Sequence, residues 1–196
     1  MSRRVYVAFG DSITDGYGVP RGFVSFLAER ITDACPGLEL TTINAGSSGD
    51  STNDAIYRLQ RDVLDHDPDL VTINFGVNDA FSWVSAEKFG SNLSAMVDII
   101  RGNGCTRIIL VSSEVIPEPQ AEKQVLPYWE KMRQVAEEAG IVYADANGRW
   151  QSLLDSGIEQ WTLIIPGDMH PNEEGHKVIA DAVFEAMETS QILQGL

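Results

Sequence analysis

Short apolar runs alternate with helix-length amphipathic segments along this chain, and that alternation restricts the fold more than any other feature. The runs fall near residues 4–9, 39–44, 70–75, 107–113 and 141–145. Helical patterns lie near 22–35, 52–66, 86–102, 120–139 and 173–190. In the first of these, Phe23, Phe26, Leu27, Arg30 and Ile31 recur at the spacing of one helix face; in the last, Val178, Ile179, Ala182, Val183 and Ala186 do the same. Near-continuous apolar strands joined by helices require a parallel sheet covered on both faces, because each crossover passes over a face. The expectation is an α/β chain folded as a three-layer αβα sandwich around a five-stranded parallel sheet. No linker, repeat or low-complexity stretch interrupts the pattern, and 196 residues fit one domain, 1–196. Pro117-Glu118-Pro119 reads as a rigid loop after the fourth strand.

Charge narrows the partners. With 14 Lys+Arg against 29 Asp+Glu, the net charge is −15. Such a surface repels phosphate backbones and anionic lipid, which argues against nucleic acid and membrane surfaces. Cys35 and Cys105 fall in unrelated elements, so two free thiols in a reducing compartment are the simpler expectation. Arg3 and Arg4 are followed by too short an apolar run for a signal-peptide core, and no run is long enough to span a bilayer. A cytoplasmic location is expected, with no membrane insertion; the oligomeric state is left open.

In an open parallel sheet, ligands bind outside the carboxyl ends of the strands. The chemically capable residues fall there. Ser12, in Gly10-Asp11-Ser12-Ile13-Thr14, follows the first run. A serine in that place can be a nucleophile if a base takes its proton and donors hold the oxyanion. Its ordinary use would be to cap a helix, but Thr14 or Asp15 could do that instead. Gly49 lies in the glycine-rich turn Gly46–Asp50 after the second run, where a backbone N–H can approach a ligand closely; a tight turn alone would also account for it. Asn78 follows the third run and can donate a side-chain N–H into the same crevice, or form an Asx turn. Of the three histidines, only His170 stands at a sheet mouth, before Pro171-Asn172 and the last helix. His66 reads as a solvated helix end, and His176 as a solvent-facing helix residue.

Together these segments resemble the SGNH hydrolase superfamily, also known as GDSL esterases and lipases. Gly10-Asp11-Ser12 matches its first block, Ser48-Gly49-Asp50 with Ser51 and Thr52 its second, Gly76-Val77-Asn78-Asp79 its third, and His170-Pro171-Asn172 its last. The resemblance covers nearly the whole chain and implies a flavodoxin-like αβα sandwich. It implies Ser12 as nucleophile, His170 as base, and the Ser12 N–H, Gly49 N–H and Asn78 amide as the oxyanion hole. One position departs from the pattern. The family's aspartate usually stands three residues before the histidine, where this chain has Gly167; Asp168 stands two before. Either Asp168 completes a triad, or Ser12 and His170 act as a dyad.

The expected activity is hydrolysis of a small-molecule ester or thioester, with short acyl or acetyl groups favoured because no long lid is foreseen. Phe81, Trp83 and Trp129 are the candidates for contact with substrate. No metal or cofactor is implied: HExxH, a Cys/His cluster and an acidic set with ligand spacing are missing from the sequence. Gly-x-Ser-x-Gly is missing too, which argues against a standard α/β-hydrolase elbow. Three other readings stand beside the esterase: a phosphate- or nucleotide-binding module, a catalytically silent binding protein on the same fold, and an acyltransferase using the same serine.

Overall fold

The computed structural model describes residues 2–196. Its strands are β1 (Ser2–Gly10), β2 (Leu38–Gly46), β3 (Leu70–Asn74), β4 (Ile108–Val111) and β5 (Val142–Ala144). They form one parallel sheet in the order β2-β1-β3-β4-β5. The helices are α1 (Ser12–Asp15), α2 (Phe23–Ala34), α3 (Thr52–Asp62), α4 (Val77–Phe81), α5 (Ala86–Gly102), α6 (Pro119–Ala139), α7 (Ala146–Asp155) and α8 (Glu173–Thr189).

Side chains of β1 alternate between the two faces, as strand geometry requires. Val7 and Phe9 join a core with Leu59 of α3, Leu93 and Met96 of α5 and Met132 of α6. Tyr6 and Ala8 join a second core with Leu27 and Ile31 of α2 and Ile179 and Val183 of α8. Each fully buried Leu, Ile or Phe contributes about 1.5–3 kcal/mol, so the two cores fix both helical layers onto the sheet.

The strand order places the site. From β1 the chain moves outward to β2, then returns across β1 to β3, so the β1–β3 junction is the topological switch point where a crevice opens. Gly10 is level with Gly46 on one side and Asn74 on the other. The three turns that follow β1, β2 and β3 therefore leave the sheet at the same height.

The structure differs from the sequence reading in a few places. Helix α7 was not foreseen: only Ala146 and Trp150 of its residues are buried, so its apolar periodicity is weak. The helix expected over 52–66 ends at Asp62, and Leu64–His66 forms a separate 3-10 turn before Asp67 in the left-handed region. His176 does not face solvent. It is 1 % exposed, and its Nδ1 accepts from the Phe23 N–H at 3.1 Å, tying α8 to the first turn of α2. Cys35 and Cys105 are free thiols. Among the described residues no helix is long and apolar enough to cross a membrane.

Candidate active site

The turn that carries Ser12 begins where β1 ends. Asp11 caps α1: its Oδ1 accepts from the Ile13 N–H at 3.0 Å. Asp11 thus does the capping, rather than Thr14 or Asp15, and Ser12 is left free of that duty. Ser12 is 9 % exposed, and its Oγ lies 3.0 Å from His170 Nε2.

His170 is held by a tight loop before α8. The Ile165 N–H donates to His170 O at 2.9 Å and the Asp168 N–H to Ile165 O at 3.0 Å, with Gly167 at φ +81° in the turn between. Asn172 locks the far side. Its Oδ1 accepts from the Glu174 and Gly175 N–H groups, while its Nδ2 donates to Thr162 O and Ile164 O. This turn brings Asp168 Oδ1 to 2.6 Å from His170 Nδ1. The same oxygen accepts from the Met169 N–H at 2.6 Å and the His170 N–H at 3.1 Å. The bond from the His170 side chain, followed by the backbone donors, holds the Asp168 carboxyl below the usual carboxylate range. Tyr17 packs against the imidazole, ring centroids 4.5 Å apart and the planes tilted by 42°.

Gly49 and Asn78 come from the turns after β2 and β3. Gly49 has φ +88°, in the left-handed region where glycine carries no Cβ penalty. Asn78 Nδ2 donates to Asp50 O at 3.0 Å and lies 3.3 Å from Asp11 Oδ2. The next residue, Asp79, is buried and accepts from the Thr52 N–H at 3.1 Å and from Thr52 Oγ1 at 2.5 Å. Asn92 Nδ2 donates in turn to Thr52 Oγ1 at 3.0 Å. This buried relay fixes the start of α4, which carries Asn78, to the start of α3, which follows Gly49.

Buried carboxyls surround the turns. Burial pushes the Asp11 pKa up to about 8; the Ile13 N–H opposes the rise, and the charges of Glu114 and Asp79 add to it. Burial also raises Asp79 and Glu114. Glu114, after β4, accepts a hydrogen bond from the Ser113 hydroxyl. None of these three carboxyls was singled out as a site residue from sequence. Asp11 and Asp79 stand within the first and third motif blocks, but nothing in a single sequence marks a carboxyl as buried. Tyr17 was missed for a similar reason, since its place against His170 depends on two segments 153 residues apart (170 − 17).

The aromatic candidates separate. Phe81, at the end of α4, lies at the surface, and Trp83 just beyond it is 91 % exposed with a left-handed φ of 60°. Trp129 corrects its expectation as a wall of the substrate site. It is 3 % exposed in the core, under Gly76, where a Cβ would stand 2.7 Å from its ring. Gly76 has φ +134°, so the close approach and the backbone both require glycine before Asn78. Val125, Trp129, Met132 and Ala136 form one buried helical stripe, a spacing that already marks Trp129 as core.

Comparison with known proteins places the chain in a family. An arylesterase of Vibrio mimicus is 32 % identical over 53 % of this chain and 52 % of its own length, so the match spans about half of that relative. An acetylxylan esterase of Geobacillus stearothermophilus is 24 % identical over 88 % of this chain and 89 % of its own. Among solved structures, an α/β hydrolase enzyme from the metagenome of Lake Arreo, Spain, superposes with TM-score 0.81 at 27 % identity, covering 94 % of this chain and 95 % of that one. Residues 8–178, a span that includes Ser12, Gly49, Asn78 and His170, match the GDSL-like Lipase/Acylhydrolase family, and the chain belongs to that family of ester hydrolases.

Proposed function

We propose that this protein hydrolyses small acyl esters or thioesters through an acyl-enzyme formed on Ser12, and that residues 1–196 act as one hydrolase domain. Ser12 Oγ attacks the acyl carbonyl while His170 Nε2 takes its proton. Asp168 holds the proton on Nδ1, leaves the lone pair on Nε2 and stabilises the imidazolium that forms. The oxyanion is received by the Ser12 N–H, the Gly49 N–H and Asn78 Nδ2. His170 then protonates the leaving alcohol or thiol, and a water activated by the same nitrogen releases the acid.

One observation carries this reading: the unbroken chain from Ser12 Oγ to His170 Nε2 at 3.0 Å and from His170 Nδ1 to Asp168 Oδ1 at 2.6 Å. The second distance favours the triad over the dyad, and the Ile165–His170 turn explains how an aspartate two residues before the histidine takes that part. Similarity to an acetylxylan esterase supports an acetyl-sized acyl group, and similarity to an arylesterase supports ester hydrolysis. Phe81 and Trp83, exposed just past Asn78, are the surface proposed to meet the leaving group.

Hydrolysis of p-nitrophenyl acetate and butyrate by wild type, Ser12→Ala and Asp168→Asn tests the proposal. Ser12→Ala is expected to lower kcat by on the order of 10⁴ or more, and Asp168→Asn by on the order of 10²–10⁴. A Ser12→Ala rate equal to wild type would remove the acyl-enzyme. An Asp168→Asn rate equal to wild type would leave a Ser12–His170 dyad.

A further inference from the structure

The mechanism above leaves unused one nearly buried cation, Arg58 of α3, whose side chain is 11 % exposed. Its Nε donates to Asp50 Oδ2 at 2.6 Å, Nη1 to Ala45 O at 2.7 Å and Asp62 Oδ2 at 3.2 Å, and Nη2 to Gly10 O at 2.7 Å. The guanidinium lies over the Phe9 ring, 4.4 Å from its centroid. Pairing with Asp62, one turn along α3, is ordinary helix-surface chemistry. The other three contacts are not, because each reaches a different segment of the site.

Gly10 O is the last carbonyl of β1, two residues before Ser12. Ala45 O is near the end of β2, where the turn to Gly49 begins. Asp50 follows Gly49, and its backbone carbonyl anchors Asn78 Nδ2 at 3.0 Å. One rigid plane therefore touches the chain beside each proposed oxyanion donor: the Ser12 N–H, the Gly49 N–H and, through Asp50, the Asn78 amide. We infer that Arg58 is a positioning residue that sets the Gly49–Asp50 turn against the nucleophile turn and so fixes the width of the oxyanion hole. The geometry suits arginine alone. Its donors diverge in a fixed plane and reach two carbonyls and a carboxylate together, whereas a lysine ammonium is a point donor on a flexible stem. Stacking on Phe9 keeps that plane from rotating.

The inference rests on the serine esterase reading, so the test includes Ser12→Ala beside Arg58→Lys and Arg58→Ala. Four quantities are measured: kcat and KM for p-nitrophenyl acetate, inhibition by a small alkylboronic acid, thermal midpoint, and recovery of Arg58→Ala activity on adding millimolar ethylguanidinium. The boronic acid adds to the serine oxygen as a tetrahedral anion and so reports on the oxyanion hole. Misplacement by about 1 Å costs about 10²-fold. The expected result is a fall in kcat of about 10-fold for Lys and about 10²-fold for Ala, with KM changed by less than about threefold. Boronate affinity should weaken in parallel with kcat/KM, and ethylguanidinium should restore part of the Arg58→Ala rate. If Arg58→Ala does not fold, folded Arg58→Lys supplies the kinetic and boronate readouts.

A lowered thermal midpoint with kcat and boronate affinity unchanged in a folded variant would overturn the assignment and leave Arg58 a stabilising residue only. Loss confined to KM would overturn it as well. If wild type and Ser12→Ala are alike, the serine reading falls and the Arg58 assignment falls with it. If Ser12→Ala is dead and the Arg58 variants are fully active, only the Arg58 assignment falls.

Discussion

At the scale of single residues, Asn78 poses the sharpest question. It has two amide hydrogens, and in the resting site both face acceptors: Asp50 O at 3.0 Å and Asp11 Oδ2 at 3.3 Å. In the proposed oxyanion hole, an arriving oxyanion has to take one of them. The longer contact is the one to yield, because burial pushes the Asp11 pKa up to about 8 and a carboxyl that keeps its proton is a weaker acceptor than a carboxylate. Asn78→Ala is expected to lower kcat by about 10²–10³ with little change in KM, read from steady-state hydrolysis of p-nitrophenyl acetate; a rise in KM at constant kcat would show that Asn78 binds only the ground state. The shared location of Ser12, Gly49, Asn78 and His170 was legible in the sequence because each stands just past a strand or before the last helix, at one end of the sheet. The Asp168 contact was not legible. It depends on the Ile165–His170 hydrogen bond, which a count of residues cannot reveal. Arg58 went unnoticed because a lone arginine on a helix reads as solvated, although Ala55, Arg58 and Leu59 share one face and the two apolar members are buried.

At the scale of elements, the junction between α2 and α8 depends on a neutral histidine. His176 accepts the Phe23 N–H through Nδ1, and burial lowers its pKa to about 4, with the charge of His170 adding to the fall. Unfolded, the ring titrates near 6.5. Between pH 4 and 6.5 the unfolded chain holds the extra proton, so this site makes stability rise with pH across that window and stay level above it. His176→Asn places an acceptor oxygen near the same N–H without a titrating ring. From pH 7 to pH 4.5 wild type is expected to lose on the order of 2 kcal/mol more stability than His176→Asn in urea unfolding. Parallel pH curves would mean that His176 is not held neutral. The spacing of His176 with Ile179, Ala180 and Val183 carried a signal of burial, and residue polarity masked it. The absence of such a stripe hid α7. Strands were easier to find than to order, yet β2 announces an edge: Glu39, Thr42 and Asn44 are polar and exposed, unlike the fully buried β3.

At the scale of the whole molecule, the formal net charge of −15 gives the protein a negative field that a substrate must cross to reach the site. The summed field disfavours anionic substrates and is screened by salt. An aryl ester bearing a carboxylate on its acyl chain is expected to show a higher KM than its neutral methyl-capped counterpart at low ionic strength, with the gap closing as salt is added. A gap that ignores salt would locate the discrimination in direct contacts rather than the field. The layered architecture and the family membership were both foreshadowed by the strand–helix alternation and the four motif blocks. The level ends of β1, β2 and β3 convert those separate blocks into one site. Ser12 is the proposed nucleophile of that site. Treating the protein with an alkyl fluorophosphonate and mapping the adduct by mass spectrometry tests that role. One adduct per chain is expected on Ser12, absent from Ser12→Ala and formed far more slowly in Asp168→Asn. Failure of wild type to label, or equal labelling of Ser12→Ala at another residue, would contradict it.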